Sequence, residues 1–545
     1  MSQRGATRPA EIPGRKEPEP GKTIETNIPA RMDRLPWSRW HWLVVFALGI
    51  TWLLDGLEVT IVGAIAAVLT SPETLALTET QIGIAGSLYV GGSVVGALLF
   101  GYLTDRLGRK RLFTWTLVVY LLATVATAFA WDVWSFWIFR FITGMGIGGE
   151  YAAINSATEE LNPARVRGRV ELAINGSWWL GTVIGAASTI LLLNPEFLAV
   201  DVGWRVAFGF GAVLGIAVIL IRRLLPESLR WLMTHGRADE AEKIVAEIEE
   251  QVKRYTDRSD LPEPQEGHVI EIRQRERTPV REILGTMFGE HVRRTVLGLS
   301  LMVGQTFIYN AVLFTFALAL STFFGVAEQS VGWYLIPFAV GNFLGPLIMG
   351  PLFDKVGRKP MIAGTYLLSA AALFVTGYLF DQGVLSDVSI TVWWSVTFFF
   401  ASAGASAAYL TVSEIFPLEI RASAISFFYA IGTAAGGVVG PFLFAAYVES
   451  GDTGQVFVGY IIAAAAMAFG GLMEILIGVK AEKESLRTWR SLSARRTETG
   501  GASRARAPGP RRPGPVLPPG RSTGCGPGPG WPRALRRCAS GRGGT

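Results

Sequence analysis

The chain has 545 residues, of which half are hydrophobic and only 17% are charged. Soluble chains carry about 25% charged residues, so an ordinary soluble protein is excluded. The net charge of +6 is no nucleic-acid footprint, because Lys and Arg gather in alternate loops rather than on one face. Both cysteines, Cys525 and Cys538, fall in the tail, so no disulfide framework or metal site is readable and no cofactor is expected.

Residues 1–36 are rich in Pro and charge and nearly free of aromatic residues, which predicts a disordered cytosolic N-terminus. They carry no cleavable signal pattern, so the first membrane helix is expected to act as its own insertion signal. Trp37, Trp40 and Trp42 with Arg39 read as an interfacial belt. Apolar blocks of roughly 20 residues or more, enough to cross a hydrocarbon core of about 30 Å, then predict helices. The first six run near 42–69, 80–104, 112–131, 133–157, 167–193 and 204–224, giving an N-terminal bundle over 37–224.

The interval 225–292 is polar. From Arg237 to Val252 apolar residues recur at helical spacing among charges, which predicts an amphipathic cytosolic helix; 255–280 reads as a flexible linker. Six more helices are predicted near 293–322, 328–353, 360–380, 388–413, 420–447 and 455–479, a C-terminal bundle over 293–480. Residues 481–545, dominated towards their end by Gly, Pro and Arg, cannot bury enough apolar surface to fold. They are either out-of-frame translation of a GC-rich gene or a genuine basic tail near anionic lipid. The predicted fold class is an all-α membrane protein of twelve transmembrane helices in two six-helix pseudo-repeats, with a cytosolic helical interval.

The duplication is visible in charges. Gly101-Tyr-Leu-Thr-Asp105-Arg106-Leu-Gly108-Arg109-Lys110 has a near copy in Gly350-Pro-Leu-Phe-Asp354-Lys355-Val-Gly357-Arg358-Lys359. Each is followed by Glu-x6-Arg, first Glu160 with Arg167 and then Glu414 with Arg421. The segments 70–80, 131–136, 194–203, 323–332, 381–389 and 448–455 contain no Lys or Arg. The positive-inside rule therefore places them outside and both termini in the cytosol. Asp105, Arg109, Glu160, Arg167, Asp354, Arg358, Glu414 and Arg421 then share the cytosolic surface, where they form a predicted gate network between the halves. Topology alone would explain the basic residues but not the matched acids.

Charges inside membrane helices cost several kcal/mol and mark functional candidates. Asp55 and Glu58 stand three residues apart, on one face of the first helix. Arg140 lies roughly 10 Å below the outer end of the fourth helix and Glu58 roughly 16 Å below that of the first, a difference an arginine spans. A carboxylate beside an arginine in low dielectric can exchange a proton for a change in pairing; the alternative is a static pair locking the two helices. Glu150, after Gly144-Met-Gly146-Ile-Gly148-Gly149, is either a proton or substrate site or a gate partner. That glycine run follows no strand, so close helix packing is favoured over a dinucleotide fingerprint. Glu474 reads as a boundary residue snorkelling to the surface.

At these residues the chain resembles the major facilitator superfamily, and more narrowly its sugar-porter and metabolite:proton symporter branch, over about 37–480. The duplicated hairpin, Glu160-x-x-Pro163-x-x-x-Arg167-Gly168, Pro226-Glu227-Ser228-Leu229-Arg230-Trp231-Leu232 and Glu414-Ile415-Phe416-Pro417 carry the resemblance. Asp55-Gly-x-Glu58 is similar to aromatic-acid:proton symporters, and Gly148-Gly149-Glu150-Tyr151 to phosphate and niacin-type porters. The resemblance implies the major facilitator fold, proton coupling through Glu58 and Arg140, and substrate contacts from helices 5, 7, 10 and 11. The chain departs from sugar porters there. Asn175 replaces a glutamine, Gly304-Gln305-Thr306-Phe307-Ile308-Tyr309-Asn310 lacks one glutamine and a glycine, Ser406-Ala407-Ala408-Tyr409 replaces Pro-x-Pro-Trp, and Gly432 replaces an asparagine. A hexose would leave too many hydrogen bonds unmade.

The expected function is therefore proton-coupled uptake of a small metabolite, an organic or aromatic acid or a sugar-like solute, by alternating access. Asp55, Glu58, Arg140 and Glu150 would handle the proton; Asn175, Trp178, Gln305, Tyr309, Asn310 and Tyr409 would contact substrate. The expected partners are that solute, the proton and the lipids of the cell membrane, with no nucleic acid and a monomeric state. An exporter or uniporter of the same fold and a non-transporting nutrient sensor are the alternatives. A membrane enzyme is disfavoured, since His41, His235, His268 and His291 all sit at or beyond cytosolic helix ends.

Overall fold

The computed structural model describes residues 23–222, 225–257, 260–263, 270–273, 284–415 and 421–478. Strand β1 (Thr23–Thr26) and helix α1 (Ile28–Asp33) precede six long helices: α2 (Arg39–Ile65), α3 (Glu79–Leu107), α4 (Arg109–Ala128), α5 (Val133–Leu161), α6 (Ala164–Leu192) and α7 (Val200–Arg222). Short α8 (Leu229–Thr234), amphipathic α9 (Ala238–Thr256) and strand β2 (Ile270–Arg273) follow. The second set is α10 (Val292–Phe324), α11 (Val331–Lys355), α12 (Arg358–Asp381), α13 (Asp387–Ile415), α14 (Arg421–Gly432), α15 (Val439–Glu449) and α16 (Thr453–Ile477). The predicted tail over 481–545 lies outside the described residues.

Observed and predicted helices agree to within a few residues, except where the eleventh is broken. A π turn at Thr433–Gly437 separates α14 from α15. Its glycines let α10 come close: a Cβ on Gly436 would lie 2.5 Å from Thr306 Oγ1. π turns inside helices frequently mark functional sites, and Thr433 here opens on the central cavity. Among the described residues, ten helices are long and apolar enough to cross a membrane; α5 and α6 are not among them. In α5 the dilution comes from Arg140, Glu150 and the glycine run between them.

The two sets pack on each other reciprocally. The second helix of the first set, α3, lies against the fifth of the other, α15, and the fifth of the first, α6, lies against the second of the other, α11. The first helices of both sets, α2 and α10, also touch. That exchange of positions is the contact pattern of two repeats related by a twofold axis. The duplicated hairpins explain their shared glycine: Gly108 has φ +90° and Gly357 φ +109°, backbone that L side chains adopt only at a cost, and each precedes a helix. At the end of the bundle away from those hairpins, Glu79 at the start of α3 accepts from Thr322 Oγ1 of α10 at 2.8 Å. Beside it, the Thr80 N–H donates to Glu449 of α15 at 2.6 Å, so the sets are latched there.

The N-terminal expectation needs correction. The stretch predicted to be disordered, 1–36, and the linker predicted over 255–280 each contribute ordered pieces, because they order each other. β1 pairs antiparallel with β2, Thr23 opposite Arg273 and Thr26 opposite Ile270. Ile28, Met32 and Leu35 are buried in one apolar cluster with Val245, Ile248 and Val252 of α9 and with Trp231. Trp40 joins that cluster rather than a lipid belt; of the three tryptophans only Trp42, 61% exposed, faces outward. Charge closes the clasp: Arg31 donates to Glu249 at 3.0 and 2.8 Å, Arg34 donates to Glu249 at 2.6 Å, and Arg31 also meets Glu242. Arg165, near the start of α6, ties the clasp to the bundle by donating to the Leu35 carbonyl at 2.5 Å.

Burial alone would raise the Glu249 carboxyl, but Arg31 and Arg34 outweigh it and hold the group below the usual range. A depressed carboxylate stabilises only while ionised, so its contribution is full above about pH 4.3 and is lost as pH falls through the lower folded value. A fluorophore at Asn27→Cys, with both tail cysteines changed to Ser, is expected to show high anisotropy at neutral pH that drops below about pH 4. Glu249→Gln should lower the ratio of docked to undocked clasp about fivefold at neutral pH, since such part-exposed networks contribute about 1 kcal/mol.

Candidate functional site

Between the two helix sets lies a cavity of about 200 Å³. Asp55, Asn175, Trp178, Gln305, Tyr309 and Asn310, expected to serve the proton or the substrate, all line it. Glycines bring their helices together. A Cβ on Gly56 would sit 2.0 Å from the Trp178 carbonyl oxygen, and one on Gly181 1.9 Å from that of Leu53. The α2–α6 contact is thus backbone to backbone, and it sets Trp178 beside the Asp55 turn.

Sequence reasoning missed half of the cavity wall. Trp52, Tyr89, Trp179 and Tyr429 also line it, with Ser93, Thr306, Ser402, Ser406 and Thr433. Trp52, one turn from Asp55, was within reach of a helical-wheel argument. Tyr89 and Tyr429 carried no such signal, because Tyr89 depends on α3 packing against α5 and Tyr429 on α14 packing against α3 of the other set. Trp178 and Trp179 meet edge to face at 4.5 Å, and Trp179 lies 5.8 Å from Tyr309. Tyr309 is held by its hydroxyl, which donates to Asn342 Oδ1 at 3.1 Å. Gly432, where an asparagine contact was missed, is a packing position instead: a Cβ there would lie 2.7 Å from that of Met302. The Tyr409 side chain lies outside the described residues.

Glu58 and Arg140 meet behind this wall. Both are 0% exposed, and Arg140 Nη1 donates to Glu58 Oε1 at 2.5 Å. The guanidinium lies 4.4 Å above the Tyr89 ring and 5.7 Å from that of Phe208. Its Nε and Nη2, and the second Glu58 oxygen, have no hydrogen-bond partner among the described residues. The pair is therefore single-stranded, not the two-bond fork of a guanidinium clamped on a carboxylate. Tyr89 is shared: one face lies under Arg140 while the side chain borders the cavity. Glu150 is fully buried but is not among the cavity's lining residues.

Of the predicted gate, the side chains of Asp105, Arg109, Arg167, Asp354, Glu414 and Arg421 lie outside the described residues. Glu160 accepts from Ser228 Oγ at 2.6 Å, and Glu227 accepts from the Lys110 N–H at 3.0 Å. The Pro226-Glu227-Ser228 segment therefore braces the first hairpin from within its own half. Glu474 does not snorkel: it is 0% exposed, and neither of its oxygens has a hydrogen-bond partner among the described residues. Its carboxylate is covered at the last turn of α16, beside Gly478.

A family described as sugar (and other) transporter matches residues 46–482. The chain belongs to that family. It is a multi-pass membrane transporter of the major facilitator superfamily, and not an enzyme. The niacin transporter NiaP of Acinetobacter baylyi is 29% identical over 443 residues, covering 81% of this chain and 95% of that protein. The 4-hydroxybenzoate transporter PcaK of the same species is 27% identical over 74% of this chain and 84% of its own. The D-xylose transporter of Levilactobacillus brevis is 27% identical over 75% and 86%. The solved proton:xylose symporter XylE has the same fold, with a TM-score of 0.64, 20% identity and coverage of 83% of this transporter and 99% of that chain.

Proposed function

We propose that the transporter takes up a small metabolite into the cell together with a proton, by rocking its two helix sets about the central cavity. The observation that carries this is the Glu58–Arg140 pair, fully buried and joined by one hydrogen bond, with Tyr89 touching both Arg140 and the cavity. Buried charges are tolerated while paired, and separating them leaves an uncompensated ion. α2 packs on both α5 of its own set and α10 of the other, so coupling requires α2 to shift against α5 as the sets rock. Glu58 must then take up a proton or regain its partner, which ties the proton to the conformational cycle. A static lock would use both carboxylate oxygens and more of the guanidinium's donors. Asp55, one turn away and on the cavity wall, links the same helix to substrate. The hairpin end is read as cytosolic, with both termini on that side in the cell membrane. The duplicated charges there act as the gate opposite the Glu79–Thr322 latch.

Names of relatives span niacin, 4-hydroxybenzoate and xylose, all within the size of the cavity. A melting-temperature screen of ring compounds and pentoses would choose the solute, and uptake into proteoliposomes would then be followed with an inward proton gradient. Wild type is expected to accumulate solute and to lose accumulation with a protonophore. Glu58→Gln should retain exchange of solute across the membrane without accumulation. Accumulation that survives both treatments would overturn the coupling.

A further inference from the structure

The charge of the cavity is one-sided. Asp55 is the one charged side chain among its described lining residues. Gln305, 2% exposed, turns its amide nitrogen to the Met302 sulfur at 3.0 Å, and its Oε1 has no hydrogen-bond partner among the described residues. Asn310 uses its Nδ2 to donate to the Thr306 carbonyl at 2.8 Å, so the end left for a ligand is again an oxygen. The buried guanidinium beyond the wall, Arg140, is held by Glu58 and covered by the Tyr89 ring. What the cavity offers a solute is one carboxylate, the free carbonyl ends of Gln305 and Asn310, the neutral Asn175 amide and Ser and Thr hydroxyls, and the π faces of Trp52, Trp178, Trp179 and Tyr429. Aromatic faces attract cations and repel anions, and a buried oxygen left without a donor is costly.

We propose that the cavity selects a small planar ring carrying a positively charged, N–H-rich group, with Asp55 as counter-ion and Gln305 Oε1 as second acceptor. This rests on the cavity being the transport site, and it separates the transporter from relatives named for niacin and 4-hydroxybenzoate, which are ring acids. Size agrees: a dry cavity of about 150 Å³ holds benzene, so about 200 Å³ holds one ring with a short substituent.

Benzamidine, benzamide and benzoate share one shape and differ in charge, which makes them the probes. In isothermal titration of the purified full-length transporter near pH 7.5, benzamidine is expected to bind at least about tenfold tighter than benzoate, with benzamide between. Asp55→Asn should bring benzamidine and benzoate to within about threefold of each other. Gln305→Glu, which adds a second carboxylate to the wall, should widen the gap, so the test survives a misfolded Asp55 variant. Benzoate binding as tightly as benzamidine, a ratio that neither variant moves, or no binding of any probe up to about 10 mM would overturn the proposal. Binding that keeps this charge preference while uptake ignores the proton gradient would sink the coupling alone. Coupled uptake by a protein without the preference would sink the charge selection alone.

Discussion

Arg140→Ala is expected to abolish coupled uptake and to lower the unfolding temperature more than any exposed charge substitution. The side chain is 0% exposed, bonds Glu58 at 2.5 Å and stacks its guanidinium over Tyr89 at 4.4 Å. Its removal leaves Glu58 as a buried ion without a counter-charge, a loss of about 3–5 kcal/mol where such pairs have been broken from one side. The change also opens space beneath Tyr89, so the cavity wall loses its support. Glu58→Leu combined with Arg140→Leu removes both charges, and that double variant should regain most of the lost stability, as buried pairs replaced by apolar residues often do. Its uptake, however, should no longer respond to a protonophore. The pair of readouts separates two roles. A static lock predicts that the double variant transports and couples normally; a proton switch predicts a stable protein without coupling. Arg140→Lys should fall between, since an ammonium keeps the charge but loses the planar face that lies on Tyr89. Unfolding temperature and proteoliposome uptake, read as a double-mutant cycle, check all three.

Most of the architecture was legible because membrane helices announce themselves by length and apolarity, and because the repeat is written in charge. The two hairpin glycines, Gly108 and Gly357, occupy the positive-φ positions that a tight turn demands, so motif and backbone agree. That Asp55, Asn175, Gln305 and Asn310 share one cavity was legible from helical spacing. Illegible were features that depend on which helices become neighbours. Tyr89 joins Arg140 to the cavity only because α3 and α5 pack at backbone contact, and Trp179 joins it through the α2–α6 contact. The clasp was hidden for another reason. β1 and α1 are each too short to be stable alone and are built on partners more than 200 positions away, as Arg31 and Glu249 show. Gly432 reads as a lost ligand in the one-dimensional comparison and is a packing position in three dimensions.

The glycine ladder between α3 and α5 is where small substitutions should cost most. A Cβ on Gly144 would lie 1.9 Å from the Tyr89 carbonyl oxygen, and one on Gly148 1.9 Å from that of Ser93. The reciprocal pair is as tight: Gly92 would meet the Phe141 carbonyl at 2.1 Å and Gly96 that of Met145 at 2.0 Å. Two G-x-x-x-G stripes therefore face each other, each glycine seated on the other helix's backbone, where no side-chain rotation can relieve a clash. Gly144→Ala forces the helices apart at Tyr89, the residue that both covers Arg140 and borders the cavity. Overpacking that side chains can absorb costs about 1–3 kcal/mol, and backbone contact leaves nothing to absorb it. Gly144→Ala is expected to lose most uptake and Gly144→Leu to yield no monodisperse protein in detergent. Gly209, in α7 with nothing within 4 Å of its Cβ position, is the control. Gly209→Ala should leave uptake intact and raise stability by up to about 1 kcal/mol through helix propensity. Size-exclusion profiles, unfolding temperatures and uptake of the three variants check the contrast; equal behaviour of Gly144→Ala and Gly209→Ala would mean that α3 and α5 are not in backbone contact.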